Sequence, residues 1–298
     1  MLGENVLWHQ AQQALYWIDI EGALLQRYAL QTAVLETFAL PHRVGSFAFL
    51  QDGGPYQLVV AFACGFALYN FQTGALQWLD KPLPESANSG LRFNDGRVDR
   101  QGRFWAGTMV EDERFARQSA RLYQLAANGN AIPRLQGLTI SNGLCWSLDG
   151  RRMYHADSPK HQILQYQFCP ESGNLSQPQL FAQTPDDAHP DGSAIDAQGY
   201  LWNAHWGAGQ VVRYAPDGSI DLALSLPVSQ PSSVALCGPR LDLLAVTSSR
   251  LGLTASQLAA QPQAGHLFIY QLSGVQGVVE PHCHCAASWL SATTALLP

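Results

Sequence analysis

Several oxygen-bearing side chains precede short apolar segments of the chain at almost the same distance. Glu4, Asn142 and Asp191 each lie 10 or 11 residues before the start of such a segment. Two carboxylates and an amide carbonyl, with no thiol or imidazole among them, suit a hard divalent cation. Three protein ligands leave coordination positions for water and substrate, which is typical of a catalytic metal site. The set predicts one divalent metal ion: Ca²⁺, Mg²⁺ or Mn²⁺, with Zn²⁺ and Fe²⁺ as alternatives.

The segment from Arg92 to Met109 adds hydrogen-bond donors to this chemistry. It begins with a cation, an amide, a carboxylate and a glycine within five residues, and it continues into an apolar strand. Arg92 and Asn94 lie 12 and 10 residues before the apolar core at Phe104. Such side chains can hold the hydroxyl or carbonyl oxygens of a substrate. The alternative is that each of these polar residues only caps a strand or a turn.

The elements that must position these residues form a repeat. Apolar strand cores recur every 42 to 49 residues, at Leu15, Leu58, Phe104, Met153, Leu201 and Leu243. Most cores follow a tight polar turn and precede a strand in which apolar and polar residues alternate. Six units of about four short strands predict an all-β fold, a six-bladed β-propeller with four-stranded antiparallel blades. A β-solenoid or a pair of sandwiches is the alternative, but a ring leaves no long exposed edge strand.

The propeller is expected to form a single domain over residues 1–298, with residues 282–298 as a tail of uncertain structure. The first strand of each blade lines the central channel, so residues at the same phase of different units meet around one axis. In phase are Glu4, Arg92, Asn94, Asn142, Asp191 and Ser232, with Ser46 or Arg43 as the nearest residue of the second unit. Short helices are expected only within residues 111–120 and 254–261.

Composition narrows the class of protein. The chain has 298 residues, a net charge of -6, 13% charged and 47% hydrophobic residues. No basic stripe indicates nucleic acid, and no apolar run reaches the roughly 20 residues of a membrane span. The N-terminus lacks the pattern of a secretory signal, so we expect a cytoplasmic protein. Its partner is then a small molecule, with no nucleic acid and no membrane, and the chain is a monomer or a weak homo-oligomer.

The six cysteines are expected to be free thiols, mostly buried. The run from His282 to Cys285 alternates two histidines with two cysteines, which invites a zinc interpretation. Structural zinc sites instead use two separated ligand pairs, and alternate residues of a strand point to one face, so only half of this run could converge. We therefore do not predict a metal site in this run.

Four motifs together resemble the gluconolactonase/regucalcin (senescence marker protein) family of six-bladed propellers. The similarity extends from Gly3 to about Gly274. The motifs are Leu2-Gly3-Glu4 with Leu15 to Ile20, Arg92 to Gly96 through Ala106 to Met109, Ile140 to Leu144 with Trp146-Ser147 and Asp157-Ser158, and Pro190-Asp191-Gly192 with Asp196, Gly199 and Leu201-Trp202. Each is short, but their common order and spacing are specific.

The resemblance implies roles for particular residues. Glu4, Asn142 and Asp191 would be metal ligands, and Arg92 and Asn94 would contact the substrate. An acidic substrate contact is expected shortly after the Gly-Thr-Met segment, where Glu111 and Asp112 compete and Asp112 fits the spacing slightly better. This chain departs from the family in beginning almost at the first ligand, where relatives have about ten further residues that include a strand. It also has Asn5-Val6 where the family tends to have Gly-Pro.

The resemblance implies hydrolysis of a sugar lactone, such as glucono-, galactono-, xylono- or arabinonolactone, to the aldonic acid. The metal would polarise the carbonyl, Asp191 would act as general base, and Arg92 would assist at the oxyanion. Trp206 is a candidate wall for a sugar face, and His189 and His205 are alternative bases. The absence of a Gly-x-Ser-x-Gly elbow argues against a serine hydrolase. Rival hypotheses are a regucalcin-type calcium-binding regulatory protein, a protein-binding platform, and another esterase or phosphotriesterase on the same scaffold.

Overall fold

Strands dominate the chain and fall into six sheets, one for each sequence unit. The computed structural model describes residues 1–85 and 89–291. The first two sheets contain β1 (Gly3–His9), β2 (Ala14–Asp19), β3 (Leu24–Ala29), β4 (Val34–Ala39), β5 (Val44–Gln51), β6 (Leu58–Phe62), β7 (Gly65–Tyr69) and β8 (Leu76–Asp80). The next two contain β9 (Leu91–Val98), β10 (Phe104–Val110), β11 (Ala120–Leu125), β12 (Ala131–Leu138), β13 (Ser141–Trp146), β14 (Arg152–Asp157), β15 (Gln162–Phe168) and β16 (Leu175–Gln183). The last two contain β17 (His189–Ile195), β18 (Leu201–Trp206), β19 (Gln210–Tyr214), β20 (Ile220–Ser225), β21 (Pro231–Cys237), β22 (Leu243–Ser248) and β23 (Phe268–Gln271).

The predicted six-bladed β-propeller with four-stranded antiparallel blades is confirmed. Within each sheet, consecutive strands pair in antiparallel order, and the sheet of β21, β22 and β23 has three strands within the described residues. The first strands of neighbouring blades contact one another in a closed ring, including β21 with β1. They line a central channel, as the propeller hypothesis requires. We number the blades 1 to 6 in chain order.

A hydrophobic core fills each of the six interfaces between neighbouring blades. Along β2, Leu15 packs towards blade 6 while Tyr16 packs towards blade 2. The alternation arises because successive side chains of a strand point to opposite faces. Both faces of the middle strands are therefore buried, which explains why the strand cores are nearly continuous apolar runs.

The polar turns that precede two of the strand cores are fixed by aspartates. Asp99 accepts hydrogen bonds from the backbone N–H groups of Gln101 and Arg103 and from the Trp105 indole. Asp196 makes the equivalent bond to the Trp202 indole in blade 5. Each carboxylate thus joins its turn to the buried tryptophan at the second position of the next strand.

The C-terminal tail crosses back over the ring. β24 (Cys283–His284) pairs in parallel with the end of β5, opposite Leu50 and Gln51. It is followed by α3 (Ala287–Ser291), in which Trp289 is 3% exposed. This tail therefore links the last blade to blades 2 and 3, at the end of the channel where β5 and β9 finish. Residues 292–298 lie outside the described part of the chain.

The two short helices expected from the sequence are present as α1 (Glu113–Ala116) and α2 (Ala255–Ala260). A 3-10 helix at Ser158–Lys160 follows β14. None of the helices within residues 1–85 and 89–291 has the length and apolar character that a membrane crossing requires.

Candidate active site

A β-bulge interrupts the innermost strand of every blade at nearly the same level of the channel. The register between the first and second strands shifts after Glu4, Asn142 and Pro190, and equivalent shifts occur in the other three blades. A bulge leaves residues unpaired and re-aims their side chains. The in-phase residues of the sequence lie at or beside these bulges, and their side chains turn towards the channel.

These bulges surround a cavity of about 300 Å³ at one end of the channel. Five residues predicted from the sequence line it together: Glu4, Arg92, Asn94, Asn142 and Asp191. Its remaining walls are Leu2, Met109, Ile140, Ser158, Pro159, His189, Trp206 and Leu251. The structure thus brings the five residues together, while their roles as ligands and substrate contacts stay predictions.

The carboxylates in this cavity lie beside one another, with Asp191 buried and Glu4 partly buried. Burial, and then the neighbouring Asp95, raises the pKa of Glu4 to about 8. Burial raises the pKa of Asp191 well above its usual range, and the charges of Glu4 and Asp95 raise it further. The buried Oδ1 atom of Asp191 has no hydrogen-bond partner among the described residues. Such a set of carboxylates favours either bound protons or a cation.

The donor set fits a divalent metal ion when the amide is included. The described residues contain no cluster of three His, Cys, Asp or Glu side chains placed to hold a metal. Two carboxylates and the oxygen of Asn142, however, give three hard oxygen donors from three blades. Asp191, whose Oδ1 lacks a hydrogen-bond partner among the described residues, lines the same cavity, and a cation there would satisfy that oxygen.

Arg92 separates this cavity from an outer cleft between blades 2 and 3. Its Nε donates to Glu111 at 3.0 Å, and its Nη1 donates to Asn94 at 2.8 Å. Glu111 also pairs with Arg43. Burial raises the pKa of the Glu111 carboxyl, but Arg43 and Arg92 lower it by more, so the net shift is downward. Glu111 is therefore an ionised partner that holds Arg92 in place.

Asp112 is directed elsewhere. Its side chain caps α1 by accepting from the backbone N–H of Arg114, and it pairs with the Arg114 guanidinium. It does not line either the 300 Å³ cavity or the outer cleft. The spacing argument slightly favoured Asp112 over Glu111, but the requirement for an N-cap residue at α1 takes Asp112 away from the site.

Comparison with known proteins agrees with this architecture. The SMP-30/Gluconolactonase/LRE-like region model matches residues 2–250. The chain belongs to this family. The resemblance drawn from the four sequence motifs is therefore confirmed, and with it the placement among sugar lactonases and regucalcins.

Individual relatives of the family match almost the whole chain. An L-arabinolactonase of Azospirillum brasilense is 37% identical over 91% of this chain and 88% of that protein. A 6-deoxy-6-sulfogluconolactonase of Pseudomonas putida is 34% identical over 94% of each. The crystal structure of a calcium-binding protein, regucalcin, from Agrobacterium tumefaciens superimposes with a TM-score of 0.86 at 29% identity, covering 94% of this chain and 93% of that one.

The sequence also predicted a sugar-facing wall and two alternative bases, and the structure places these three side chains differently. Trp206 and His189 line the cavity, and the His189 ring lies 4.5 Å from that of His161. His205 does not line it, since its ring is hydrogen-bonded to the Tyr214 hydroxyl. Burial lowers the pKa of His205 to about 4. His205 is thus a neutral, hydrogen-bonded core residue, and the proposal of a base role is not supported by its position.

Sequence reasoning did not assign a role to Asp95 or Ser158. Asp95 is buried in the channel and accepts from the backbone N–H of Leu144 at 3.0 Å, next to the Asn142 bulge. Ser158 lines the cavity beside Asn142. Both belong to motifs that carry the family resemblance, which is the only sequence signal that marks them.

Proposed function

We propose that the chain hydrolyses a sugar lactone to the corresponding aldonic acid, using one divalent metal ion. The proposal depends chiefly on one observation: Glu4, Asn142 and Asp191 come from three blades and line a single cavity, with one carboxylate buried and the other partly buried. Relatives named L-arabinolactonase and 6-deoxy-6-sulfogluconolactonase support aldonolactones as the substrate class. Gluconolactone, galactonolactone, xylonolactone and arabinonolactone are the first candidates.

Glu4, Asn142 and Asp191 would hold the metal. A divalent ion bound by these oxygens would supply Lewis-acid polarisation of the lactone carbonyl. The chain's own charges match this role, because the nearest cation, Arg92, is engaged with Glu111 and Asn94 and leaves the carboxylates in need of a counter-ion.

Asp191 is the proposed general base. Its carboxyl lines the cavity beside Glu4 and Asn142 and carries an oxygen without a hydrogen-bond partner among the described residues, so it can take a proton from a water in the cavity. It would accept the proton of the attacking water as the new carbon–oxygen bond forms at the lactone carbonyl. When the ring carbon–oxygen bond breaks, the same proton can pass to the departing ring oxygen, so that the product carries a carboxyl and a hydroxyl group.

Arg92 and Trp206 would position the substrate. Arg92 is 4% exposed, lines the cavity and donates its Nε–H to Glu111, which holds the guanidinium in place. Such a fixed donor can stabilise the charge that develops on the carbonyl oxygen. The Trp206 ring offers an apolar surface for one sugar face.

Metal dependence is tested with a panel of aldonolactones. Acid release is followed at constant pH with the purified chain, after removal of metal by a chelator, and again after reloading with Ca²⁺, Mn²⁺ or Zn²⁺. We expect turnover to vanish on stripping and to return with at least one ion. Undiminished turnover in chelator would refute the proposed role of the metal.

The role of Asp191 is tested by Asp191→Asn, which keeps the shape of the side chain but removes the base. Loss of a general base lowers the rate by about 10²–10⁴-fold. The matched control is Asp217→Asn, an exposed aspartate in the turn before β20 whose side chain accepts hydrogen bonds from Ser219. It should keep the turnover number of the unmodified chain. Equal kcat values for the two variants would contradict the assignment.

A second candidate is a calcium-binding regulatory protein of the regucalcin type. It is supported by the structural match to a protein described as calcium-binding. In that case calcium would bind with high affinity, while every lactone of the panel would be hydrolysed no faster than in buffer. Metal titration and lactone turnover, measured on the same sample, separate the two functions.

A further inference from the structure

A directed chain of side-chain hydrogen bonds joins blades 3, 4 and 5 at the candidate metal site. Arg92 Nη1 donates to Asn94 Oδ1 at 2.8 Å, and Asn94 Nδ2 donates to Asn142 Oδ1 at 2.8 Å. Asn142 Nδ2 then donates to Ser158 Oγ at 2.8 Å, and Ser158 Oγ donates to the carbonyl of Pro190 at 2.8 Å. Pro190 is the residue before Asp191.

The direction of this chain is fixed at both ends. A guanidinium can only donate hydrogen bonds and a backbone carbonyl can only accept them. Because the single hydroxyl hydrogen of Ser158 is used at Pro190, its oxygen can only accept from Asn142. The Asn142 amide must therefore turn its nitrogen to Ser158, which leaves its oxygen on the side of Asn94 and the cavity.

We propose that Ser158 is a positioning residue that holds the Asn142 amide with its oxygen towards the cavity, where it can serve as a metal ligand. This inference rests on the proposed metal-dependent function. A reversed amide would present N–H groups to a cation, which repels them. Ser158 also ties the Asn142 side chain to the backbone beside Asp191, so one hydroxyl sets the relative placement of two candidate ligands.

The position of Ser158 is itself rigid. It is 4% exposed, and its backbone N–H donates to the carbonyl of Ile140 at 3.0 Å. In return, Asp157 Oδ1 accepts from the backbone N–H groups of Thr139 and Ile140. The strand that leads into Asn142 and the turn that carries Ser158 are thus held against each other from both sides.

The same chain gives Asn94 an indirect role. Its two amide hydrogens are directed at Asn142 Oδ1 and at the carbonyl of Ser141, and its oxygen accepts from Arg92. No amide hydrogen remains for a substrate hydroxyl. In this arrangement Asn94 links Arg92 to Asn142, and its oxygen keeps a second acceptor position.

The first test measures metal affinity rather than turnover. Calcium and manganese are titrated calorimetrically into the metal-stripped full-length chain and into Ser158→Ala. Loss of a residue that orients a ligand typically weakens metal binding by about 10–100-fold, and we expect a loss in that range. The matched control is Ser248→Ala, because Ser248 is also buried and also donates one hydrogen bond, to His266, and accepts one, from Gly265. It should bind metal like the unmodified chain.

A double-mutant cycle separates orientation from general packing. In Asn142→Asp both terminal atoms are oxygens, so the side chain presents an oxygen in either orientation. Adding Ser158→Ala to the Asn142→Asp variant should then weaken metal binding by less than about threefold. The same substitution in the chain that keeps Asn142 is expected to weaken metal binding by about 10–100-fold. Thermal unfolding of each metal-free variant confirms that the folded state is retained.

The possible results distinguish the positioning role of Ser158 from the proposed metal-dependent function. Unchanged metal affinity in Ser158→Ala, or an equal loss in both backgrounds, overturns the positioning role while leaving the metal-dependent function intact. Failure of the unmodified chain to bind any divalent ion refutes the proposed function and this inference together. A loss confined to the Asn142 background supports the role of Ser158.

Discussion

The candidate site concentrates negative charge where water is scarce. Asp191 is 5% exposed and Glu4 is partly buried, and Asp95 lies close enough to raise the pKa of both. Ionising such groups without a counter-ion costs several kcal/mol per charge, by order of magnitude. The metal-free protein should therefore hold protons on these carboxyls, and metal binding should release them.

A pH-dependent difference in stability follows for Glu4→Gln. The pKa of Glu4 is raised from 4.5 to about 8, so between these values the folded state binds more protons than the unfolded state. Stability then falls as pH rises through this window. Glutamine does not ionise, so the variant lacks the cost of ionising Glu4 in the folded state. The melting temperature of the metal-free variant should therefore exceed that of the unmodified chain at pH 8 by about 2 °C or more, which corresponds to roughly 1 kcal/mol of unfolding free energy.

The comparison is made as a difference between two proteins because other groups titrate too. Burial lowers the pKa of His155 and of His205 to about 4, which makes the folded state more stable as pH rises towards 6.5. That contribution is common to both proteins and cancels. Thermal unfolding from pH 5 to 8 should show the difference growing with pH. Glu113→Gln, in the first turn of α1, is the control and should follow the unmodified chain at every pH.

At the scale of the strand, the bulges depend on glycines that let neighbouring backbones approach. A Cβ atom on Gly192 would lie 2.8 Å from Ser233 Cα and 3.0 Å from the carbonyl of Ser232. The inner strands β17 and β21 thus touch at this point. Because Gly192 follows Asp191 within the bulge, the spacing of two blades and the placement of one carboxylate are set by the same contact.

Gly192→Ala should therefore disturb catalysis more than stability. Overpacking of this kind costs about 1–3 kcal/mol, and a displacement of about 1 Å at reacting groups lowers the rate about 10²-fold. The control is Gly74→Ala, where φ is +77° but a Cβ would meet nothing within 4 Å. Its backbone strain costs about 1–2 kcal/mol at a surface turn far from the cavity. Chemical denaturation and lactone turnover of both variants test this; a full turnover number in Gly192→Ala would show that the contact does not set the site.

The sequence predicts the repeated elements because each carries its own periodic signal. Residue spacing alone was enough to predict the six strand cores and the common phase of Glu4, Asn142 and Asp191. The role of Ser158 could not be found in this way, since it lies after the second strand and acts through a contact between blades. The choice between Glu111 and Asp112 depended on which residue caps α1, and spacing does not indicate this. A two-residue strand such as β24 is too short for any periodic signal.

Across the whole molecule, the ring is held by six similar interfaces and by one irregular strap, residues 280–291. Arg97 is fully buried near the far end of the channel and pairs with Glu280 at 3.2 Å. His284 N–H donates to the carbonyl of Gly102 in the β9–β10 turn. The strap therefore closes the channel end opposite the cavity and binds blades 2 and 3, so we expect it to unfold together with the ring.

Trp289 is the strongest anchor of this strap and gives the last prediction. It is 3% exposed, and its indole Nε1 donates to the carbonyl of Ala126 in blade 3 at 3.2 Å. Trp289→Ala should lower the free energy of unfolding by about 3–5 kcal/mol, whereas Trp289→Phe keeps most of the volume and should cost about 1 kcal/mol through the lost hydrogen bond. Turnover at 25 °C should be retained in both, because the strap lies at the other end of the channel. Denaturant unfolding gives the free energies, and equal, near-zero losses in the two variants would mean that the strap is not part of the cooperative fold.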